Sequence, residues 1–109
     1  MKVTRETRNK DVLVSVQGSV DIYSSPELRG ELKVALEQRA PKIVIDLEKV
    51  TFVDSSGLAT LIEALQRVHE YQGKLVLCGL RTTVLSVFQL TNLDNLFEIR
   101  PTVQAALEG

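Results

Sequence analysis

Asp54, Ser55, Ser56 and Gly57 place a carboxylate, two hydroxyls and a glycine at consecutive positions, with Leu58 next. An apolar strand, Lys42 to Leu47, leads by a short connection into them, and an amphipathic helix is predicted from about Ser56 to Tyr71. A serine hydroxyl there sits at the open N-terminus of a helix, where unpaired N–H groups and the positive end of the macrodipole favour negative charge. The chemistry this suits is acceptance of a phosphate on Ser55, tolerated by the fold and conspicuous to a partner. The same serines could instead serve as N-cap and first-turn residues, since serine is a preferred cap.

Hydrolysis fits poorly. Val53-Asp54-Ser55-Ser56-Gly57 resembles a nucleophile elbow but has Val53 where the first glycine belongs. A serine hydrolase also needs a histidine, and the only one, His69, lies fourteen residues along the same predicted helix, about 21 Å away at about 1.5 Å per residue. His69 instead falls on the apolar stripe near the helix C-terminus and is expected to pack there, helped by the dipole. There is no Gly-rich Lys-Ser/Thr loop for nucleotide phosphates. No intrinsic enzymatic activity and no cofactor is expected.

The elements that must position these residues are well punctuated. Val3 to Thr7 and Val12 to Gln17 are predicted as strands across an Asn9-Lys10-Asp11 turn, with Gly18 ending the hairpin. Ser24 with Glu27 fits a capping box, Pro26 suits a first turn, and Leu28, Leu32, Ala35 and Leu36 share one face of a helix to about Arg39. Gly30 inside that helix costs about 1 kcal/mol relative to alanine. Pro41 stops the helix, and the β-branched centre of Lys42–Leu47 reads as a strand covered on both faces.

The second helix carries Leu58, Leu61, Ile62, Leu65, Val68 and His69 on one stripe and ends at Gln72-Gly73 with a left-handed cap. Leu75 to Cys78 is a buried strand, Thr82 to Leu90 a third helix, Phe97-Glu98-Ile99 a short strand, and Pro101 opens a terminal helix. Strands alternating with helices imply βα units around a largely parallel sheet. The fold class is α/β, with four to five strands and about four helices in one domain over residues 1–109.

Composition narrows the function. The 109 residues are 44% hydrophobic and 25% charged with a formal net charge of −1, ordinary globular values without a global pull towards nucleic acid or membrane. Basic residues are scattered and aromatics few, so no base-stacking platform is expected. One cysteine, Cys78, rules out an internal disulfide and is expected to be a buried strand-end residue; with a single histidine it leaves a zinc site short of ligands. No apolar run approaches the roughly 18 residues of a membrane span, and Met1 opens a charged segment unlike a signal peptide. A cytoplasmic location is expected. The third helix and its exit, with Val84, Leu85, Val87, Phe88, Leu90, Leu93 and Leu96, are expected to pack on the sheet. The alternative is a patch for weak self-association through residues 82–96.

Taken in order, three landmarks resemble a known family. Gly18-Ser19-Val20-Asp21 through Pro26-Glu27-Leu28-Arg29 is similar to a Gly-Glu-Leu-Asp segment followed by a Pro-Glu-Leu helix start. Ile45-Asp46-Leu47 precedes Asp54-Ser55-Ser56-Gly57-Leu58, and Gly73-Lys74-Leu75-Val76-Leu77 precedes Leu93-Asp94 and the final strand. Together they resemble STAS domains of the bacterial anti-sigma factor antagonist type across essentially the whole chain.

The resemblance implies a partner-switching cycle. It makes Ser55 the residue phosphorylated by an anti-sigma factor that is also an ATP-dependent serine kinase; the unphosphorylated form binds that kinase and frees the sigma factor. A serine phosphatase resets the cycle. Asp21 is expected beside Asp54 and Ser55, with Ser56 and Gly57 presenting the turn. Asp54 could orient the serine hydroxyl, assist a magnesium in the kinase complex, or simply form the turn; Asp21 could cap the first helix. Ser19-Val20 departs from the frequent Glu-Leu and removes an acid from the loop. The family also contains members never phosphorylated, so the second reading is an adaptor subunit of a transporter ATPase or sensory complex.

Overall fold

Successive apolar residues in the middle strands bury both faces of one sheet, and everything else is arranged around it. The computed structural model describes residues 1–108; Gly109, the last residue of the expected domain, lies outside them. Strands β1 (Lys2–Arg8) and β2 (Asp11–Val20) form an antiparallel hairpin, and β3 (Lys42–Val53), β4 (Lys74–Cys78) and β5 (Glu98–Arg100) add to it in parallel, in the spatial order β1-β2-β3-β4-β5. Helix α1 (Ser25–Glu37) connects β2 to β3, and α2 (Ser55–Glu70) connects β3 to β4. Helix α3 (Thr82–Leu90) and a 3-10 turn over Leu93–Asn95 lead to β5, and α4 (Val103–Glu108) follows.

One sheet face, with Val12, Val14, Val16, Ile43, Ile45, Leu75 and Leu77, packs against Leu28, Leu32, Ala35 and Leu36 of α1 and Leu58, Leu61, Ala64, Leu65 and Val68 of α2. The other face gathers Leu13, Val44, Val76 and Cys78 under Ala106 of α4. Buried Lys42 anchors that helix: its Nζ donates to the carbonyls of Ala106 at 2.9 Å and Leu107 at 3.4 Å. Cations suit a helix C-terminus, where carbonyls lack intrahelical partners.

Several expected boundaries move, each for a local reason. Gly18 ends the pairing of β2 with β1, whose last partners are Lys2 and Gln17, yet β2 itself continues to Val20 along β3. Strand β3 does not stop at Leu47 but runs to Val53. Its pairing with β2 shifts twice, between Ser15 and Gln17 and between Gly18 and Ser19, each time leaving one extra residue on β3. Each such bulge displaces the two-residue alternation, so the inward residues become Leu47, Val50 and Val53, three apart. Helix α1 ends two residues before Arg39, which turns the chain in the left-handed region (φ 53).

At the end of α2 the left-handed residue is Gln72 (φ 66), not Gly73. Gly73 serves packing instead, since a Cβ there would lie 2.7 Å from Tyr71 Cε1 and 2.8 Å from Val68 Cγ2. His69 is exposed and not part of the buried stripe, and Ile62 is only half-buried. Phe97 enters the core ahead of β5, its ring edge-on to Phe88 with centroids 5.7 Å apart. Of the apolar residues in and after α3, Val84 and Phe88 are buried as expected, whereas Leu90 (85% exposed) and Leu96 (51%) remain at the surface.

Candidate functional site

The C-terminal ends of β2 and β3 lie side by side, with Val20 opposite Val53. The loops that follow therefore meet, one carrying Asp21 to Ser24 and the other Asp54. This is the end of a parallel sheet where loops habitually assemble a site.

Asp54 is the N-cap of α2. Its extended backbone (φ −100, ψ −172) lets Oδ1 accept hydrogen bonds from the amides of Ser56 (2.9 Å) and Gly57 (3.1 Å). Its other oxygen, Oδ2, accepts from the amide of Ile22 at 3.2 Å, across the gap between the loops. The Asp54 amide in turn donates to the carbonyl of Val20 at 3.1 Å. Among the described residues its carboxylate is hydrogen-bonded to backbone amides only, and it makes no hydrogen bond to the Ser55 hydroxyl.

Ser55 is the first residue of α2, exposed, and its hydroxyl makes no hydrogen bond among the described residues. Ser56 is half-buried; its amide is held by Asp54 and its carbonyl accepts from Thr60 Oγ1 at 3.0 Å. Gly57 is buried, and a Cβ on it would stand 2.8 Å from Val20 Cγ1, 2.9 Å from the Val20 carbonyl and 2.9 Å from Val53 Cγ1. The glycine is thus what lets the first turn of α2 close down on the ends of β2 and β3.

Asp21 organises its own loop. Oδ1 accepts from the amides of Tyr23 and Ser24, both at 3.0 Å, and its carbonyl accepts from the Ser25 amide at 2.8 Å. The Ser24 amide bond holds the Asp21 carboxyl below its ordinary range; desolvation opposes it, and the Tyr23 amide and the Ser24 hydroxyl add to the lowering. The capping box expected from Ser24 and Glu27 is not formed. Ser24 makes no side-chain cap; its Oγ accepts from the Asp21 amide at 2.9 Å and donates to the Ser19 carbonyl at 2.7 Å. The hydroxyl is spent closing the loop backwards onto β2, and the amides at the helix head go to backbone carbonyls, Ser25 to Asp21 and Glu27 to Ser24.

Sequence reasoning missed three residues here. Ile22 (64% exposed) and Tyr23 (92%) in the loop after β2, and Phe52 (51%) near the end of β3, are large apolar side chains left in solvent. For Ile22 and Tyr23 the signal was apolar side chains inside a turn-forming stretch; Phe52, in β3, gave none because the bulges shift that strand's alternation. No helix among the described residues is long and apolar enough to cross a membrane, and no group of three or more His, Cys, Asp or Glu among them is placed to hold a metal ion.

Comparison with known proteins agrees with this architecture. The family model described as the STAS domain matches residues 2–106. An anti-sigma-B factor antagonist of Listeria monocytogenes is 30% identical over 105 residues, covering 96% of this chain and 90% of that protein. Its Bacillus subtilis namesake is 29% identical over 99 residues, covering 91% and 90%. A crystal structure of an anti-sigma factor antagonist from Mycobacterium paratuberculosis superposes with a TM-score of 0.90 at 27% identity, over 98% of this chain and 91% of that one. The chain belongs to the STAS domain family. Its five-stranded, mostly parallel sheet with four α-helices fits the expected fold class.

Proposed function

We infer that this chain is an anti-sigma factor antagonist whose partner binding is switched off by phosphorylation of Ser55. The observation that carries the reading is the division of labour at the head of α2. Asp54 does the capping, so the exposed Ser55 hydroxyl, without a hydrogen bond among the described residues, is left free of the cap. The competing explanation, that serine stands there as a cap, loses its support.

Phosphoserine brings about −1.5 to −2 charges at neutral pH. On Ser55 that charge would arrive beside Asp54 and the Asp21 loop, in the midst of the exposed Ile22, Tyr23 and Phe52. Apolar side chains left in water beside a modifiable hydroxyl suit a docking surface for a protein partner. A new dianion in that surface costs desolvation and repels acidic groups opposite it, while the helix N-terminus keeps the fold itself content. A coupling of about 1–3 kcal/mol changes affinity about 5- to 150-fold, sufficient for a switch. The partner in this reading is an anti-sigma factor with ATP-dependent serine kinase activity, and a serine phosphatase restores the binding form. The domain, residues 1–109, acts in the cytoplasm without chemistry of its own.

Intact-mass spectrometry with peptide mapping tests this on protein taken from its native host, wild type beside Ser55→Ala. A single phosphate on Ser55, absent from the variant, is expected. Absence of phosphate in growing and stressed cells alike would overturn the reading in favour of a non-phosphorylated adaptor of a transporter ATPase or sensory complex.

A further inference from the structure

Helices α1 and α2 lie side by side over the sheet, and the groove between them is not uniform in charge. One cleft of about 380 Å³ is lined by Pro26, Arg29, Gly30, Lys33 and Arg67, three cations and no acid. Arg29 is tied across the groove to Glu63 at 2.7 Å. Lys33 and Arg67 make no hydrogen bond or ion pair among the described residues. Farther along, a second hollow of about 280 Å³ is lined by Arg39, Arg67 and Tyr71 but also by Glu37 and Glu70, and Arg39 lies over the Tyr71 ring at 5.2 Å. Arg67 borders both hollows; with Glu63 set against Arg29, the first cleft keeps Lys33 and Arg67 as its excess cations, whereas the second sets two acids against two cations.

Gly30 is the second observation. It sits mid-helix, where glycine is unfavourable, and the position its Cβ would take has nothing within 4 Å. No neighbouring group of this chain requires a glycine there. Its effect is to lower one wall of the cleft and leave the α1 backbone open to an approaching group.

We propose that this cleft is a binding site for a small, multiply charged phosphate-type oxyanion, separate from Ser55. A guanidinium offers a planar fork of donors and an ammonium a compact point charge, and both suit phosphate-type oxyanions. Lys33 and Arg67, unpaired among the described residues, favour a dianion over a single carboxylate, while Arg29 on the rim is already matched by Glu63. With the whole chain at a net charge of −1, the attraction belongs to the cleft and not to the general field of the molecule.

The test is a titration of the full chain with sodium pyrophosphate, followed by amide ¹H–¹⁵N shifts, against sodium chloride at matched ionic strength. Saturable shifts confined to Gly30, Lys33, Arg67 and their neighbours are expected with pyrophosphate alone. Lys33→Ala and Arg67→Ala should each weaken binding about tenfold, the loss expected for one charge-assisted hydrogen bond, and Lys33→Arg should retain it. Equal shifts in both salts, or saturable binding undiminished in the alanine variants, would overturn the site. Should half-buried Arg67 prove necessary for folding, Lys33→Glu at its exposed position decides alone: binding abolished supports the cleft, binding intact removes it.

Discussion

The Asp54 carboxylate accepts the Ile22 amide at 3.2 Å while its other oxygen caps α2. One side chain thereby fastens two loops that are more than thirty residues apart in sequence. Asp54→Ala should lose about 1–2 kcal/mol, the usual worth of a good N-cap, which corresponds to a fall in Tm of about 4–8 °C per kcal/mol. Amide exchange at Ile22 should accelerate as well. Asp54→Asn keeps an acceptor on the cap and should retain most of the stability. A thermal melt of the three proteins checks this, and equal melting of wild type and alanine variant would show that the cap contributes nothing.

Ser55→Ala should behave differently from its neighbour. Its hydroxyl has no partner among the described residues, so truncation should change stability by no more than about 0.5 kcal/mol in either direction. A loss comparable to that of Asp54→Ala in urea denaturation would make Ser55 a structural residue.

Two glycines make opposite predictions. Gly57→Ala drives a Cβ to within 2.9 Å of Val20 and Val53 and should destabilise by about 1–3 kcal/mol, as overpacking does. Gly30→Ala meets open space in a helix interior and should stabilise by about 0.4–1 kcal/mol. Chemical denaturation curves measured side by side should bracket the wild type.

Acid should loosen the loop held by Asp21. Its carboxyl titrates below the ordinary value in the folded chain, so the unfolded chain binds the proton first as pH falls. The stabilisation is therefore fully present above the unfolded carboxylate pKa and lost as pH drops through the lowered folded value. The difference in stability between wild type and Asp21→Asn should be constant near neutrality and shrink only in strong acid. A difference that already closes between pH 7 and 5 would exclude Asp21 as its source.

Cys78 should be inert. Burial, reinforced by Asp46 and Glu48, pushes its thiol up to about 12, and the thiolate is the reactive form. Iodoacetamide at pH 8 should label it only in denaturant; rapid labelling of the folded protein would contradict its place in the core.

Much of this was legible in the chain. The apolar stripes of α1 and α2 and the β-branched run at Ile43 to Ile45 name their own partners, because burial dictates residue type at short, regular spacing. The bulged half of β3 was not legible, because Leu47, Val50 and Val53 follow neither strand nor helix period. Capping roles were ambiguous for a related reason. Ser24, Asp54 and Ser55 are all competent caps, and only the backbone angle at each one decides which side chain faces the free amides. His69 matched the helical period yet lies exposed at the edge of the stripe, while its neighbour Val68 takes the buried position.

The bond between Asp54 and Ile22 also bears on how quickly a partner can engage. Loops that dangle must be ordered during an encounter, and that ordering slows capture and subtracts from affinity. Here the bond ties the two loops together when the domain folds, so in the proposed function less of the surface around Ser55 is left to be ordered on binding. If that function holds, capture should be limited mainly by diffusion, orientation and charge steering.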